Sequence, residues 1–235
     1  MAETPRYAHL VTLLFLGSGL VIVVSIVVAV LAAIGKAGSV AKFAAGGAFL
    51  TGLGYCVLLF AVALTSGNKT LSPGNWKYFC EADCHIAYSI ESTQEVATLG
   101  SETKPIAAPG RFVIVRLKTW FDQNSIAPFR GNGPLTPDAR MVQLVDDRGR
   151  HFPAIPQAAA LHVASTALSE PLRPGESYLT TIVFRLPADA RNPRLLISDV
   201  EPVSRLLVDH ENSPLHGKIY LALSPTASTT ASAIH

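Results

Sequence analysis

Two long apolar runs without charge, close to the N-terminus, constrain the fold of this chain more than any other feature. They cover residues 10–34 and 43–65, and from the start of the first to the end of the second the only full charges are Lys36 and Lys42. An α-helix rises about 1.5 Å per residue, so each run is long enough to cross roughly 30 Å of hydrocarbon. The sequence therefore predicts two transmembrane helices.

The linker between the two runs indicates how the helices are arranged. GKAGSVAK is too short to do more than turn, which predicts an antiparallel hairpin within residues 1–66. Cytoplasmic loops carry an excess of Lys and Arg, which places Lys36 and Lys42 in the cytoplasm. We therefore expect a multi-pass protein of the cytoplasmic (inner) membrane whose large C-terminal domain is extracytoplasmic.

Small residues recur at every fourth position in each run, and such rows allow helix backbones to approach closely. The rows are Ser25, Ala29 and Ala33 in the first run, and Ala44, Ala48, Gly52 and Cys56 in the second. Neither run contains Asp, Glu, Lys, Arg or His, the residues that usually mark a transport or proton path inside a membrane. The hairpin is predicted to serve as an anchor or a docking surface.

The rest of the chain has ordinary polarity and reads as one β-rich domain. Residues 67–83 begin with turn formers and predict a juxtamembrane connection, whereas residues 225–235 predict a disordered tail. Between them, residues 84–224 show period-two alternation and turn signals, with an extended Pro/Gly-rich loop over 124–137. The predicted strands are 85–90, 111–121, 141–145, 151–152, 177–186, 194–197 and 218–223. About seven short strands without intervening helices favour an antiparallel β-sandwich.

Three segments of this domain carry a family resemblance: GRFVIVRLKTWFD, LVDDRGRHF and LRPGESYLTTIVFRLP. They resemble the telokin-like, immunoglobulin-fold domains of bacterial membrane proteins and lipoproteins of unknown function. The most specific likeness is the turn Pro174-Gly175-Glu176 followed by Phe184 and Pro187. The resemblance covers roughly Cys84 to Leu223 and implies an immunoglobulin-like sandwich. It implies no catalytic residues, because the positions that the family shares are structural.

The segment Cys80-Glu-Ala-Asp-Cys84-His85 is the clearest candidate for chemistry. Two thiolates four residues apart beside an imidazole could hold copper or zinc, with His210 or His216 as further ligands. The same cysteines could instead form a local disulfide in an oxidising compartment, or remain free thiols. The sequence leaves these alternatives open.

The remaining signals favour recognition over catalysis. The chain has no Gly-x-Ser-x-Gly, no His-Glu-x-x-His and no Gly-rich phosphate loop, and its basic residues are scattered. Phe129 and Arg130, in the extended loop, are candidates for a recognition surface, because sandwiches bind through loops at one end. We expect a non-enzymatic accessory or interaction protein that contacts the bilayer and other membrane or envelope proteins, and not nucleic acid. The alternative is a metal-binding or redox protein centred on Cys80, Cys84 and His85.

Overall fold

The computed structural model describes residues 8–79, 85–99, 106–126, 129–155 and 165–223. The contacts divide the described residues into two units. The helical unit contains residues 8–68 and 201–218, and the sheet unit contains the other described residues.

The helical unit is built on two long helices, α1 (Ala8–Ile34) and α2 (Gly38–Thr65). The end of α1 is closed by hydrogen bonds from Ala37 N to Ala32 O (2.8 Å) and from Lys36 N to Ala33 O (3.1 Å), with Lys36 at φ 59°. This pattern is a Schellman motif, which reverses the chain within a few residues. The helices are antiparallel, since Phe15 near the start of α1 lies 6.2 Å from the ring of Tyr55 in α2.

Both helices are long and apolar enough to cross a membrane. Their large side chains point outward, as shown by Leu20 and Leu50, which are 65% and 66% exposed, while Leu59 and Ala63 are the buried residues of α2. The residues of the small-residue rows are divided between partly buried and exposed positions. Ser25, Ala29, Ala44, Ala48 and Gly52 are partly buried, and Ala33 and Cys56 are exposed.

The sheet unit contains nine described strands joined in a single hydrogen-bonded order, β1-β9-β8-β5-β6-β7-β4-β3-β2. Their bounds are β1 Lys69–Leu71, β2 Lys77–Phe79, β3 Ile86–Leu99, β4 Ile106–Phe121, β5 Arg140–Val145, β6 His151–Ile155, β7 Ser177–Pro187, β8 Arg194–Asp199 and β9 Ile219–Ala222.

The sheet is mostly antiparallel, and one pair corrects the fully antiparallel prediction. β1 and β9 run parallel, with Lys69 opposite Ile219 and Leu71 opposite Leu221. Parallel neighbouring strands need a long connection between them. β1 and β9 have one, because β1 is the first described strand in the sequence and β9 is the last. Both β1 and β2 lie within residues 67–83, where the sequence indicated only a connection.

The predicted alternation in the long strands is confirmed. Inward-facing side chains of β3, β4 and β7 share one core cluster with side chains of β5, β8 and β9. Its fully buried members include Tyr88, Val113, Val115, Leu117, Phe121, Leu144, Phe184, Leu186, Leu195 and Ile197. On the other side of β4, Arg116 is exposed as expected. The strand predicted over 85–90 extends to Leu99, and the predicted tail lies outside the described residues.

Candidate functional site

Several sequence-predicted features meet at Phe121, the last residue of β4. Its ring is fully buried, and its backbone is held on both sides by the turn that leads into β7. Phe121 N donates to Glu176 O at 3.0 Å, and Gly175 N donates to Phe121 O at 2.9 Å. Gly175 has φ +85°, a conformation that favours glycine. The Pro-Gly-Glu turn therefore holds the last residue of β4 beside the start of β7.

His85 lies against this ring and is only 4% exposed. Its imidazole stacks on Phe121 at 5.4 Å, and its Nδ1 lies 3.0 Å from Ser125 Oγ. The single Ser125 hydroxyl proton is donated to Asp122 O at 2.8 Å, so Nδ1 donates to Ser125. In the neutral ring, Nε2 then carries the lone pair.

Asp122 holds the loop that follows β4. Its carboxylate accepts hydrogen bonds from the Tyr78 hydroxyl at 2.7 Å, from Asn124 N at 2.9 Å and from Asn124 Nδ2 at 3.0 Å. Burial and this hydrogen bond to the carboxylate raise the pKa of Tyr78 well above its ordinary value. The phenol therefore stays protonated and remains a donor to the Asp122 carboxylate.

Arg130 and Phe129, the predicted interaction residues, have opposite roles in the loop. The Arg130 guanidinium lies 5.0 Å from the Phe121 ring centre, and its Nη1 donates to Gly133 O at 2.8 Å. Arg173 braces the same loop by donating to Asn132 O at 3.0 Å. Phe129 is 92% exposed. Two arginines thus hold the part of the loop that follows Phe129, and Phe129 presents its aromatic side chain to its surroundings.

The histidines predicted as further metal ligands, His210 and His216, lie in the helical unit. His210 Nδ1 accepts a hydrogen bond from Asn212 N at 3.0 Å. The two ring nitrogens of His216 face oxygen acceptors, with Nδ1 2.7 Å from Gly217 O and Nε2 3.2 Å from Asp209 Oδ1. Both histidines therefore already make contacts within the protein.

The metal and disulfide hypotheses depend on Cys80 and Cys84, which lie outside the described residues. Across the part of the chain that the structure describes, no group of three or more His, Cys, Asp or Glu side chains could hold a metal ion. Both hypotheses stay predictions. Alkylation of Cys80 and Cys84 before and after reduction, together with elemental analysis of the purified chain, distinguishes a disulfide from a thiolate site.

A buried ion pair in the sheet unit was not indicated by the sequence. Arg140 and Asp199 are opposite each other on β5 and β8, and Arg140 Nη1 lies 3.1 Å from Asp199 Oδ1, with side chains 3% and 4% exposed. The guanidinium also lies 4.3 Å from the centre of the Phe79 ring. Burial raises the pKa of nearby Tyr88 to about 12, against the opposing effect of the Arg140 charge.

Lys77 is a second buried cation in this region, at 3% exposure. Its ammonium donates to Ile197 O at 2.6 Å and to Ile219 O at 2.9 Å, and lies 5.0 Å from the Phe79 ring centre. These contacts tie β2 to β8 and β9. The signal missed in the sequence is that Lys77 and Phe79, two residues apart, share one buried face of β2 in a segment that was predicted to be only a connection.

A cleft of about 600 Å³ lies elsewhere on the sheet unit. Its lining includes the charged residues Glu95, Asp147 and Arg194, together with Thr93 and Asn192. Glu95 is already paired with Arg111 at 3.0 Å. The cleft combines both signs of charge, and none of its residues carried a sequence-based hypothesis.

No protein-family model matches this chain, and no curated protein matches it. Among solved structures it is similar to MPT63, a secreted protein from Mycobacterium tuberculosis, with 12% identity and a TM-score of 0.43 over 68% of this chain and 100% of that one. It is also similar to the yjhA protein from Bacillus subtilis, with 11% identity and a TM-score of 0.38 over 65% of this chain and 98% of that one. At these TM-scores the likeness indicates neither the fold nor the function of this chain.

Proposed function

We propose that this chain is a membrane-anchored, non-enzymatic interaction protein. Its two helices cross the cytoplasmic membrane as a hairpin with Lys36 and Lys42 on the cytoplasmic side. The sheet unit is an immunoglobulin-like β-sandwich outside the cytoplasm, and it contacts a partner protein through the loop that carries Phe129.

The pairing of β6 supports the sandwich. The first half of β6 pairs with β5, from Val145 opposite His151 to Gln143 opposite Pro153, whereas its second half pairs with β7 through Ala154 and Ile155. A strand that changes partners in this way leads the chain from one sheet to the other. The shared core cluster, which includes Leu117 of β4 and Leu195 of β8, fits two sheets that face each other.

The exposure of the apolar residues supports the anchor. The outward-facing side chains of α1 and α2 are almost all aliphatic or aromatic, including Leu13 and Phe43 at 64% and 87% exposure. A contiguous apolar surface of this extent is unstable in water and stable in hydrocarbon. The helices contain no charged residue within either apolar run, so the proposal assigns them no transport role.

The observation that carries the interaction role is the 92% exposure of Phe129 on a braced loop. Arg130 and Arg173 hold the backbone that follows it, at Gly133 and Asn132, which lowers the conformational freedom lost when a partner covers the ring. Burying a Phe side chain contributes about 1.5–3 kcal/mol, enough to make it an anchor of an interface.

The test is affinity capture of the full chain from detergent-solubilised membranes of its source organism. Wild type should retain a stoichiometric partner, and Phe129→Ser should lose it. Met141→Ser is the matched control, because Met141 is 49% exposed and also lies in the sheet unit. Recovery of the lone chain from wild-type membranes, or equal capture by Phe129→Ser and Met141→Ser, would contradict the proposal.

A further inference from the structure

Residues 201–218 are separated in sequence from the helices yet belong to the helical unit. We call them the α2-bound segment. The Tyr55 hydroxyl donates to Leu206 O at 2.6 Å. Near the end of α2, Ser66 Oγ accepts from Gly217 N at 2.7 Å. A Cβ at position 217 would overlap the carbonyl of Gly67, so only glycine allows this approach.

The first of these contacts determines how far the segment reaches along α2. Tyr55 precedes the last residue of α2, Thr65, by about 15 Å at 1.5 Å per residue. Val57, Phe60 and Leu64 lie between these two levels and are 60%, 41% and 69% exposed. The α2-bound segment therefore lies beside this exposed apolar part of α2 and extends to the end of the helix.

Three polar side chains of the α2-bound segment are bonded within the segment, whereas the charged residues Glu201, Arg205 and Asp209 are exposed. Ser204 Oγ donates to Glu201 O at 2.6 Å, and Asn212 Nδ2 donates to Ser204 Oγ at 3.1 Å. Ser213 Oγ donates to Leu207 O. Satisfying these groups internally is what a non-helical chain needs when it leaves bulk water for the edge of a bilayer.

The outward-facing surface of the segment is apolar at three positions. Val203, Leu206 and Leu215 are 52%, 50% and 69% exposed. Val203 and Leu206 lie in a 3-10 helix over Pro202–Leu206 that also carries Arg205. Aliphatic side chains beside a long basic side chain suit the boundary between acyl chains and phosphate groups, where arginine can extend to the headgroups.

We propose that the α2-bound segment lies in the interfacial region of the same bilayer that the helices cross. Lipid acyl chains contact the side chains of Val203, Leu206 and Leu215. The membrane therefore contacts part of the segment between β8 and β9 as well as the hairpin. This inference rests on the proposed membrane anchor and adds a second lipid contact to it. The occupant is lipid because the segment is continuous with the lipid-facing surface of α2 through Tyr55 and Leu206.

The test is photo-crosslinking of the full chain reconstituted in vesicles of phosphatidylcholine and phosphatidylglycerol. p-Benzoylphenylalanine replaces Leu206 or Leu215 in separate variants, and mass spectrometry detects lipid adducts. Leu50 in α2 is the lipid-facing reference, and Met141 in the sheet unit is the aqueous reference. We expect adducts at positions 206 and 215 in yields comparable with position 50, and none at 141.

The outcomes separate this inference from the anchor on which it rests. Adducts at position 50 without adducts at 206 and 215 would overturn the interfacial placement and leave the anchor intact. Absence of adducts at position 50 would overturn both. The two probe positions are independent, since Leu206 lies in the 3-10 helix and Leu215 lies outside it, so misfolding of one variant leaves the other as the test.

Discussion

The helical unit and the sheet unit treat apolar side chains in opposite ways. In the helical unit the large aliphatic side chains point outward, and in α2 only Leu59 and Ala63 are buried. Among the described residues of the sheet unit, only Phe129, Met141 and Val200 are large hydrophobic residues with high exposure. The difference shows that an exposed apolar residue has a different meaning in each unit, and it is the contrast expected if the helices lie in hydrocarbon and the sheet unit in water.

Charged residues show the reverse difference. The two apolar runs, residues 10–34 and 43–65, contain none, whereas the sheet unit buries the Arg140–Asp199 pair between β5 and β8. Arg140 and Asp199 are tolerated inside the sheet unit because they are paired, whereas a charge introduced within the apolar run of α2 would have no such partner. The following substitutions test these contrasts.

The largest effect is expected for Arg140→Met. Removing one partner of a buried ion pair leaves the other charge uncompensated and costs about 3–5 kcal/mol of the free energy of unfolding. Urea unfolding of the full chain in detergent micelles, followed by tryptophan fluorescence, measures the change. Arg148→Met is the control, because the Arg148–Asp189 pair is 58% and 52% exposed and should matter little. Equal effects of the two substitutions would contradict the buried pair.

Leu50→Lys should impair membrane insertion by about 2.5–3.5 kcal/mol, the cost of a lysine near the centre of a transmembrane helix. Met141→Lys, at a comparably exposed position of the sheet unit, should have little effect because it faces water. The fraction of chain in the membrane pellet after expression measures both. Normal insertion of Leu50→Lys would remove the distinction between the two units.

Because of Tyr88, we expect the free energy of unfolding to fall at high pH. Its pKa is raised to about 12 by burial, whereas in the unfolded chain it ionises near 10. As the pH rises, the unfolded state therefore loses the Tyr88 proton first. The contribution of neutral Tyr88 to the free energy of unfolding is complete below pH 10 and is lost as the pH rises towards 12. Tyr88→Phe should reduce the loss between these pH values by up to about 3 kcal/mol. Parallel pH profiles of the unfolding midpoint for the two proteins would contradict this assignment.

The smallest effect is expected for Tyr55→Phe, which removes one hydrogen bond worth about 0.5–1.5 kcal/mol. Hydrogen exchange should become faster in residues 201–218. Tyr178→Phe removes the same kind of bond, from Tyr178 to Leu168 O at 2.6 Å, and should affect only the sheet unit. Unchanged exchange in residues 201–218 of Tyr55→Phe would show that the segment is held by other contacts.

The periodic parts of the fold could be predicted from the sequence. Uncharged runs define α1 and α2, and alternation identifies the core faces of β4 and β7 at Val113, Leu117 and Phe184. These signals are local, because each residue lies next to others that share its environment. The Pro-Gly-Glu turn was also recognisable from adjacent residues alone, although its contact with Phe121 was not.

The remaining features depend on residues far apart in the chain. The short strand β1 has no period of its own and forms because it pairs with β9, from Lys69 opposite Ile219. The Tyr55–Leu206 contact joins positions that no spacing rule connects. Lys77 is polar in the sequence, and its burial follows only from the carbonyls of Ile197 and Ile219 that surround its ammonium. The sequence indicated Phe129 and Arg130 together as interaction residues. Only the structure shows that Phe129 is exposed and that Arg130 braces the loop.

The proposal that the hairpin spans the membrane is tested most directly by labelling intact cells with a membrane-impermeant maleimide. Ser39→Cys places a thiol at the hairpin turn, and Arg148→Cys places one on an exposed turn of the sheet unit; the chain without an added cysteine provides the background. We expect labelling of position 148 from outside, and of position 39 only after the membrane is permeabilised. Equal labelling of both positions from one side of the membrane would contradict a hairpin that crosses the bilayer.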